Sequence, residues 1–333
     1  MKRILFFCVS FLVLSFLYPA AVPAAPFYEG KTITIVVGYG PGGGYDRLAR
    51  LFAKHAAKFI PGKPNFIVTN MPGAGSLIAA NYLYNLAKPD GLTIGTIDRG
   101  LPVAQLLKVE GVKFDIMKYA WLGSATTEAT VLTMRSDLPY RSYEDLLKAK
   151  SPLILGTTGP SESAAQFTIL LKEFLGLNIK IVNYPSSSDI MLAVERKELD
   201  GRAMSYNSLK PYIERGLVRP LLRSSVAEAG IENLPADEDL TTDKKGKTII
   251  AMRSAGDQVG RPYLAPPKTP KERVNILREA FVKFSKDPVV REEARKVMMT
   301  VNYMPADECL KILDKLLHQP PDMVKEFSKY IKF

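Results

Sequence analysis

The chain has 333 residues, of which 47% are hydrophobic and 24% charged. This composition is typical of a globular protein with one large core or two medium ones. The formal net charge is +11, but no run of basic residues reaches five, and the densest patch is the segment KKGK at 244–247. A surplus so dispersed favours a solvated basic surface over a nucleic-acid-binding face, and we expect no nucleic-acid partner.

The N-terminus has the pattern of a secretory signal peptide. Lys2 and Arg3 precede an apolar run at 4–17, and Val22-x-Ala24 fits the rule for signal cleavage. The apolar run is shorter than the roughly 20 residues that a membrane span needs. We therefore predict that residues 1–24 are a signal peptide, cleaved after about Ala24, and that the mature protein is soluble and periplasmic.

Along the mature chain, strand and helix patterns alternate. The strands are predicted at Thr32–Val37, 65–69, 93–97, Leu153–Thr157, 180–184 and in a segment ending near Met204. The helices are predicted between them, at 47–59, 78–86, 164–175 and 190–197. This rhythm predicts an α/β fold with mostly parallel sheets and helices on both faces.

Two more helices are predicted near the C-terminus. The segment 269–272, with Thr269 first and Glu272 last, reads as a capping box with proline at the first helical position. Asp287 followed by Pro288 predicts that another helix begins in the same way.

Two glycine-rich turns connect predicted strands to predicted helices, GYGPGGGYD at 38–46 and NMPGAGS at 70–76. Glycine allows backbone N–H groups to approach a ligand, and a helix N-terminus adds unpaired donors and partial positive charge. Side by side, the turns would form a cradle for a carboxylate or a phosphate. Each could also be no more than a tight turn between a strand and a helix.

The first turn also contains the dinucleotide-binding spacing Gly38-x-Gly40-x-x-Gly43. That motif requires an acidic residue at the end of the next strand to hold the ribose, but this strand ends in Asn70. Export also separates the protein from the cytosolic cofactor pool. We therefore expect no dinucleotide and no other cofactor.

The residue inventory argues against catalysis. There is no G-x-S-x-G elbow, and the only histidines are His55 and His318. Cys8 lies in the signal peptide, so Cys309 has no partner for a disulfide within the mature chain and is predicted to be a buried helix residue. Metal-ligand spacings are absent, and we expect neither a metal site nor an enzyme.

The segments GKTITIVVGYGPGGGYDRLARLFAKH and NMPGAGSLIAANYLYNLAKPDGLTIGT resemble the periplasmic solute receptors of tripartite tricarboxylate transporters, the Bug-type receptors. The resemblance extends over nearly the whole mature chain. It implies a two-lobed Venus flytrap of the type II periplasmic-binding-protein fold. Lobe one would comprise residues 25–125 and 250–333, lobe two residues 126–249, with crossings near 124–135 and around 250–262.

In such receptors, both glycine-rich turns hold a ligand carboxylate through backbone amides and ordered water. Carried over, the first turn contributes Tyr39, Pro41, Gly42, Gly43, Gly44 and Asp46, and the second Pro72, Gly73, Ala74, Gly75 and Ser76. A carboxylate cannot favour another carboxylate directly, so for Asp46 we favour a role in capping its helix and fixing the loop.

Lobe two is expected to supply specificity, and its candidate ligand-binding residues are Thr157, Thr158, Ser186, Ser187, Asp200 and Tyr206. For the serines, helix capping is an equal alternative. Arg99 could clamp a second carboxylate, or could form a salt bridge with Asp98 or a lobe-two acid. The chain departs from the common family pattern at Glu162, at NYPSSSD and in the long charged stretch 232–256.

The resemblance implies a receptor that binds a small organic carboxylate and delivers it to a membrane permease with large and small subunits. We expect it to act as a monomer. The alternative is an exported ligand-sensing or enzymatic protein on the same flytrap fold.

Overall fold

The computed structural model describes residues 25–331, and the predicted signal peptide lies outside this range. The strands are β1 (Thr32–Val37), β2 (Asn65–Asn70), β3 (Thr93–Thr96), β4 (Ala120–Ser124), β5 (Thr130–Arg135), β6 (Leu153–Thr157), β7 (Ile179–Asn183), β8 (Gly201–Ser205), β9 (Val218–Arg223) and β10 (Pro262–Ala265). No helix within 25–331 combines the length and the apolar character that a membrane span requires.

The helices of the described range surround these strands. They are α1 (Gly44–Ala56), α2 (Leu77–Asn85), α3 (Leu101–Leu106), α4 (Tyr143–Leu147), α5 (Ser163–Phe174), α6 (Ser187–Glu195), α7 (Tyr206–Glu214), α8 (Asp237–Leu240), α9 (Lys244–Val259), α10 (Lys271–Lys286), α11 (Pro288–Lys296), α12 (Ala306–Leu317) and α13 (Pro321–Phe327).

The first sheet has the strand order β2-β1-β3-β10-β4. Strand β1 pairs in parallel with β2 and β3, whereas β10 is antiparallel to both of its neighbours. Alternate residues of β1 pack into different cores: Ile35 contributes to the cluster around Phe52 of α1, and Val36 to the cluster around Leu77 of α2. Helices therefore cover both faces of this sheet, which explains the continuous apolar sequence of β1.

The second sheet repeats the arrangement with the order β7-β6-β8-β5-β9. Strand β6 is parallel to β7 and β8, and β5 is antiparallel to β8 and β9. In each sheet only the fourth strand is reversed, so both sheets are mixed and mostly parallel. The predicted α/β fold class is confirmed.

The strands divide between the sheets as β1–β4 with β10, and β5–β9. One connection between the sheets, residues 125–129, joins β4 to β5, and the other follows α9 into β10. The predicted lobe limits at 125/126 and 249/250 stay a prediction, and the second of them falls inside α9.

The two predictions of helix starts have different outcomes. The Asp287 side chain accepts hydrogen bonds from Val289 N and Val290 N, and α11 begins at Pro288, as predicted. The capping box at Thr269 is wrong. Its hydroxyl donates to Pro266 O at 2.8 Å, and α10 begins at Lys271 without a side-chain cap, so the proline precedes the helix.

Candidate functional site

A small cavity lies where the carboxyl ends of strands from the two sheets face each other. Its volume is about 30 Å³, which is room for about one or two water molecules; we call it the inner cavity. The lining residues on the first-sheet side are Tyr39, Gly43, Gly44, Tyr45, Asp98 and Arg99, and those on the second-sheet side are Glu162, Ser163, Ala164, Ser187, Met204, Ser205 and Ser208. Ligands of open α/β sheets bind at this edge.

A second cavity of about 200 Å³, the outer cavity, adjoins the first. The residues shared by the two linings are Gly43, Gly44, Ser187, Met204 and Ser208. The outer cavity is also lined by Gly42, Arg47, Ser188, Met191, Pro211, Tyr212 and Arg215. Its charged lining groups are the guanidinium groups of Arg47 and Arg215, and that of Arg215 is paired with Glu195 at 2.9 Å.

The first glycine-rich turn forms a wall of both cavities. Helix α1 begins at Gly44. Its N-cap residue is Gly43, and no side chain caps this end of the helix. The first-turn N–H groups therefore lack a side-chain acceptor at the cap. A Cβ on Gly44 would overlap Ser208 Oγ and the Arg261 guanidinium, so only glycine permits this approach.

Asp46 fixes the first turn from behind. Its carboxylate accepts hydrogen bonds from Gly42 N at 2.9 Å, Arg50 Nε at 2.9 Å and Asn70 Nδ2 at 2.8 Å. Burial raises the pKa of Asp46, but the hydrogen bonds from Arg50, Gly42 and Asn70 outweigh it and hold the pKa below its ordinary value. Asp46 lines neither cavity, and its hydrogen bond from Gly42 N fixes the loop as predicted, whereas the predicted capping of α1 by its side chain is not formed.

The second glycine-rich turn packs against Ser161 and Glu162, which lie in the loop after β6 of the second sheet. It lines neither cavity. A Cβ on Gly75 would lie 2.6 Å from Glu162 N and 3.1 Å from Ser161 C. Ser76 is fully buried, and its Oγ accepts a hydrogen bond from Asp98 N at 3.1 Å. The structure thus places Ala74 and Gly75 at a contact between the half built on the first sheet and the half built on the second. A role of Pro72, Gly73, Ala74, Gly75 and Ser76 in ligand binding stays a prediction.

Two buried carboxylates line the inner cavity. Asp98 accepts hydrogen bonds from Tyr39 OH at 2.6 Å, from Gly100 N at 2.7 Å and, across the cleft, from Ser163 N at 2.8 Å. Burial raises the pKa of its carboxyl above the ordinary value.

Glu162 is the second of these carboxylates. It accepts a hydrogen bond from Thr158 N at 2.8 Å and lies 3.4 Å from Arg202 Nη2. Burial raises its pKa as well, and burial lowers the pKa of Arg202.

Arg99 also reaches the inner cavity, although most of its donors are occupied. Its Nε donates to Asp257 at 2.7 Å, and its Nη atoms donate to Ser205 Oγ at 3.0 Å and Thr130 Oγ1 at 2.9 Å. Arg99 therefore forms a salt bridge, but its partner is Asp257 of α9, which is neither Asp98 nor an acid of the predicted lobe two. Contact between Arg99 and a ligand stays a prediction.

The remaining predicted residues have structural partners. Thr157 Oγ1 donates to Asn183 at 2.7 Å, and Ser186 caps α6 by accepting from Asp189 N at 3.2 Å. Asp200 accepts from Ile154 N at 2.8 Å. It precedes β8, whereas the cavities lie at the other end of that strand.

Tyr206 lies under the Lys210 ammonium, 4.8 Å from its ring centre, and lines neither cavity. Ser188 Oγ donates to Pro41 O at 3.2 Å and joins the two turns directly.

Sequence reasoning left several lining residues without a proposed role in binding. These are Tyr45, Asp98, Glu162, Ser163, Ala164, Met204, Ser205 and Ser208. For Asp98 and Ser205 a signal existed, because each lies at the carboxyl end of a strand, where α/β proteins bind ligands. Ser208 lies inside α7 and belongs to no motif.

Comparison with known proteins identifies the family. The sequence profile described as "Tripartite tricarboxylate transporter family receptor" matches residues 48–328. This chain belongs to that family. It is 28% identical over 285 residues to a UPF0065 protein of Bordetella pertussis, with 84% of each chain covered. It is also 28% identical over 296 residues to a UPF0065 protein of Cupriavidus necator, covering 86% of this chain and 85% of the relative.

Solved structures of periplasmic binding proteins share the family fold. The periplasmic binding protein BugD superposes with a TM-score of 0.73 at 21% identity, covering 91% of this chain and 98% of BugD. MatC from Rhodopseudomonas palustris, solved with bound malate, superposes with a TM-score of 0.72 at 20% identity, covering 91% and 99%. The type II periplasmic-binding-protein fold expected from the sequence is confirmed.

Proposed function

We propose that this family member is a periplasmic solute receptor that closes around a small organic carboxylate and delivers it to a tripartite tricarboxylate-type permease. The observation that carries the proposal is the uncapped N-terminus of α1, whose residues Gly43 and Gly44 line both cavities. Free N–H groups and the positive end of a helix dipole form a site for an anion.

Arg47 supports an anion at this position. Arg261 is fully buried beside Gly44, but its Nε pairs with Glu128 at 2.8 Å and it lines neither cavity. Arg47 lines the outer cavity, and burial together with the nearby Arg261 charge lowers its pKa. A carboxylate between the α1 N-terminus and Arg47 would offset the repulsion that Arg47 experiences from the Arg261 charge.

The small volume of the inner cavity supports a closing mechanism. A ligand cannot enter a space of about 30 Å³ unless the two halves separate, and Asp98–Ser163 and Pro41–Ser188 hydrogen bonds join the halves. Ligand binding would stabilise the closed form, because only there does the ligand contact both sides. Residues 25–125 with 250–333, and 126–249, are the proposed moving lobes.

We favour binding over catalysis as the role of this site. The two histidines lie elsewhere: His55 pairs with Glu293 at 3.0 Å, and His318 pairs with Asp314 at 3.2 Å. Cys309 is buried in α12, and burial raises its pKa to about 12, which suppresses the thiolate.

The proposal is tested by calorimetry of the purified mature protein with a panel of mono-, di- and tricarboxylates and amino acids. Small-angle scattering of each complex then measures closure. We expect micromolar or tighter binding of at least one acid and a smaller radius of gyration in its complex. Binding of uncharged analogues with equal affinity, or of no carboxylate in the panel, would refute the proposed function.

A further inference from the structure

We propose that Glu228 makes closure of the two halves proton-dependent: the closed form takes up a proton on this side chain, so acidification favours closure. Glu228 lines neither cavity. The inference therefore goes beyond the proposed function. It rests on the closing mechanism proposed above and is independent of the identity of the ligand.

Glu228 is attached to the connection 125–129, which joins the two sheets. Its Oε1 accepts a hydrogen bond from Ala129 N at 2.5 Å, and its Oε2 accepts one from Asn207 Nδ2 at 2.9 Å. The Asn207 side chain in turn accepts a hydrogen bond at 3.2 Å from Thr300, which follows α11 in the first half. Because separation of the halves must rotate this connection, the surroundings of Glu228 change with closure.

A second carboxylate lies on the same connection. Glu128 is fully buried, and its Oε1 pairs with Arg261 Nε at 2.8 Å. Glu228 is half-buried, its two hydrogen-bond donors are neutral groups, and within residues 25–331 it forms no salt bridge. Burial and a like charge both disfavour its ionised form.

The other groups that face Glu228 do not cancel this effect. They are the Arg261 guanidinium from the start of β10, the Lys210 ammonium and the Tyr206 hydroxyl from α7, and the Ala129 N–H of the connection. Burial, followed by the charge of Glu128, outweighs the N–H group and the two cations and raises the pKa of Glu228 to about 7.

Opening should lower this pKa. Rotation of the connection admits water to Glu228 and carries the paired Glu128 and Arg261 away together, and of these two Glu128 has the larger influence on Glu228. The closed form therefore binds the proton more tightly. Its advantage is full below the pKa of the open form and is lost as the pH rises through 7.

The magnitude follows from the two pKa values. If the pKa of Glu228 is about 7 in the closed form and returns to its ordinary 4.5 in the open form, lowering the pH from 8 to 5.5 multiplies the ratio of closed to open molecules by about 25. An exported receptor with this property holds its ligand more tightly in acidic surroundings.

The test is small-angle scattering of the ligand-free mature protein at pH 8 and at pH 5.5. We expect a smaller radius of gyration at pH 5.5. Glu228→Gln has the charge and the shape of the protonated acid, so it should show the smaller radius at both pH values. Equal radii of the wild-type protein at the two pH values, or a folded Glu228→Gln that still responds to pH, would overturn the inference.

Glu232→Gln is the matched control, because Glu232 lies in the same loop and is exposed. Backbone N–H groups, including that of Gly230 at 2.8 Å, hold the pKa of Glu232 below its ordinary value. Its carboxylate is therefore ionised at both pH values, and Glu232→Gln removes a charge without removing a proton site. The control should retain the response of the wild-type protein to pH, and loss of that response would contradict the assignment to Glu228.

Carbon-13 NMR of the glutamate carboxyl groups decides the inference even if Glu228→Gln fails to fold, which circular dichroism would reveal. In the wild-type protein at least one carboxyl resonance should titrate near pH 7, and the folded variant should lack it. A wild-type protein in which no glutamate titrates between pH 6 and 8 would exclude the proposed proton site.

These measurements separate the inference from the proposed function. If the halves open to the same extent at both pH values, the proton dependence fails, and carboxylate binding is still decided by calorimetry. If the radius of gyration stays at its closed value at both pH values, with and without the panel of acids, the closing mechanism fails as well.

Discussion

Gly100→Ala is the sharpest test of lobe closure. Gly100 lies before α3 with φ −81° and ψ −14°, a conformation that alanine adopts without strain. A Cβ at this position would lie 2.7 Å from Ser163 N and 2.8 Å from Ser161 O, both on the other half of the molecule. It would also lie 2.9 Å from Asp98 Oδ1 in its own loop, so the substitution strains the contact between the halves and displaces the acceptor of the hydrogen bond that joins them.

The size of the effect follows from these distances. Van der Waals contact requires about 3.5–4.0 Å, so the two segments must separate by about 0.7 Å or more. The Asp98–Ser163 hydrogen bond, now 2.8 Å, would then lengthen beyond hydrogen-bonding distance. Losing a charge-assisted hydrogen bond costs about 1.5–3 kcal/mol, which corresponds to about 10- to 150-fold weaker ligand binding if binding requires closure.

Calorimetry measures the affinity, and chemical denaturation measures the free energy of unfolding of the ligand-free protein. The free energy of unfolding of the ligand-free protein should fall by about 1 kcal/mol or less. The open form lacks the contact between the halves, so there the substitution changes mainly the glycine at the N-cap of α3. Gly40→Ala is the matched control, because a Cβ on Gly40 meets Ser186 across the same gap at an ordinary 3.5 Å. Wild-type affinity in Gly100→Ala, or equal weakening in both variants, would refute the closure mechanism.

Three further predictions concern other contacts. Gly75→Ala should weaken binding and also lower the free energy of unfolding by about 1 kcal/mol, because Gly75 has φ +60° as well as the backbone contact to Glu162; unchanged stability by urea denaturation would contradict the strain argument. Burial raises the pKa of Asp237 to about 7, so the folded state retains this proton longer than the unfolded chain does. The stability contributed by the bound proton is therefore full below the pKa of Asp237 in the unfolded chain and is lost as the pH rises through 7. Asp237→Asn should flatten the fall in melting temperature between pH 5 and 8. An unaltered slope would exclude Asp237 as the source of that fall. Ser188→Ala removes an exposed hydrogen bond to Pro41 and should change affinity less than about threefold, so a tenfold loss would mean that this bond dominates closure.

The strands that pair in parallel, β1–β3 in the first sheet and β6–β8 in the second, could be predicted from the sequence. Strands β1 and β6 have the predicted bounds, since each is an apolar run between turn residues. Strands β4, β5, β9 and β10 were not predicted. All six residues of β5 are buried, so it lacks the alternation of a half-exposed strand, and β10 has only four residues and begins with Pro262.

The site was only partly predictable for a similar reason. The first glycine-rich turn acts through its own helix N-terminus, which is a local property that a sequence displays. The contact of Gly75 with Glu162 and the commitment of Arg99 to Asp257 depend on how distant segments pack. No spacing within either segment encodes these pairings.

Asp98 Oδ1 accepts hydrogen bonds from Gly100 N in its own loop and from Ser163 N across the cleft. When the halves separate, Gly100 N keeps its acceptor and Ser163 N becomes exposed to solvent. The deuterium exchange rate of the Ser163 amide, relative to that of Gly100, therefore reports the fraction of open molecules without any added ligand. A weakly bound acid that leaves the calorimetric signal unchanged would still slow exchange at this single amide, which provides a route to ligand discovery by mass spectrometry or NMR.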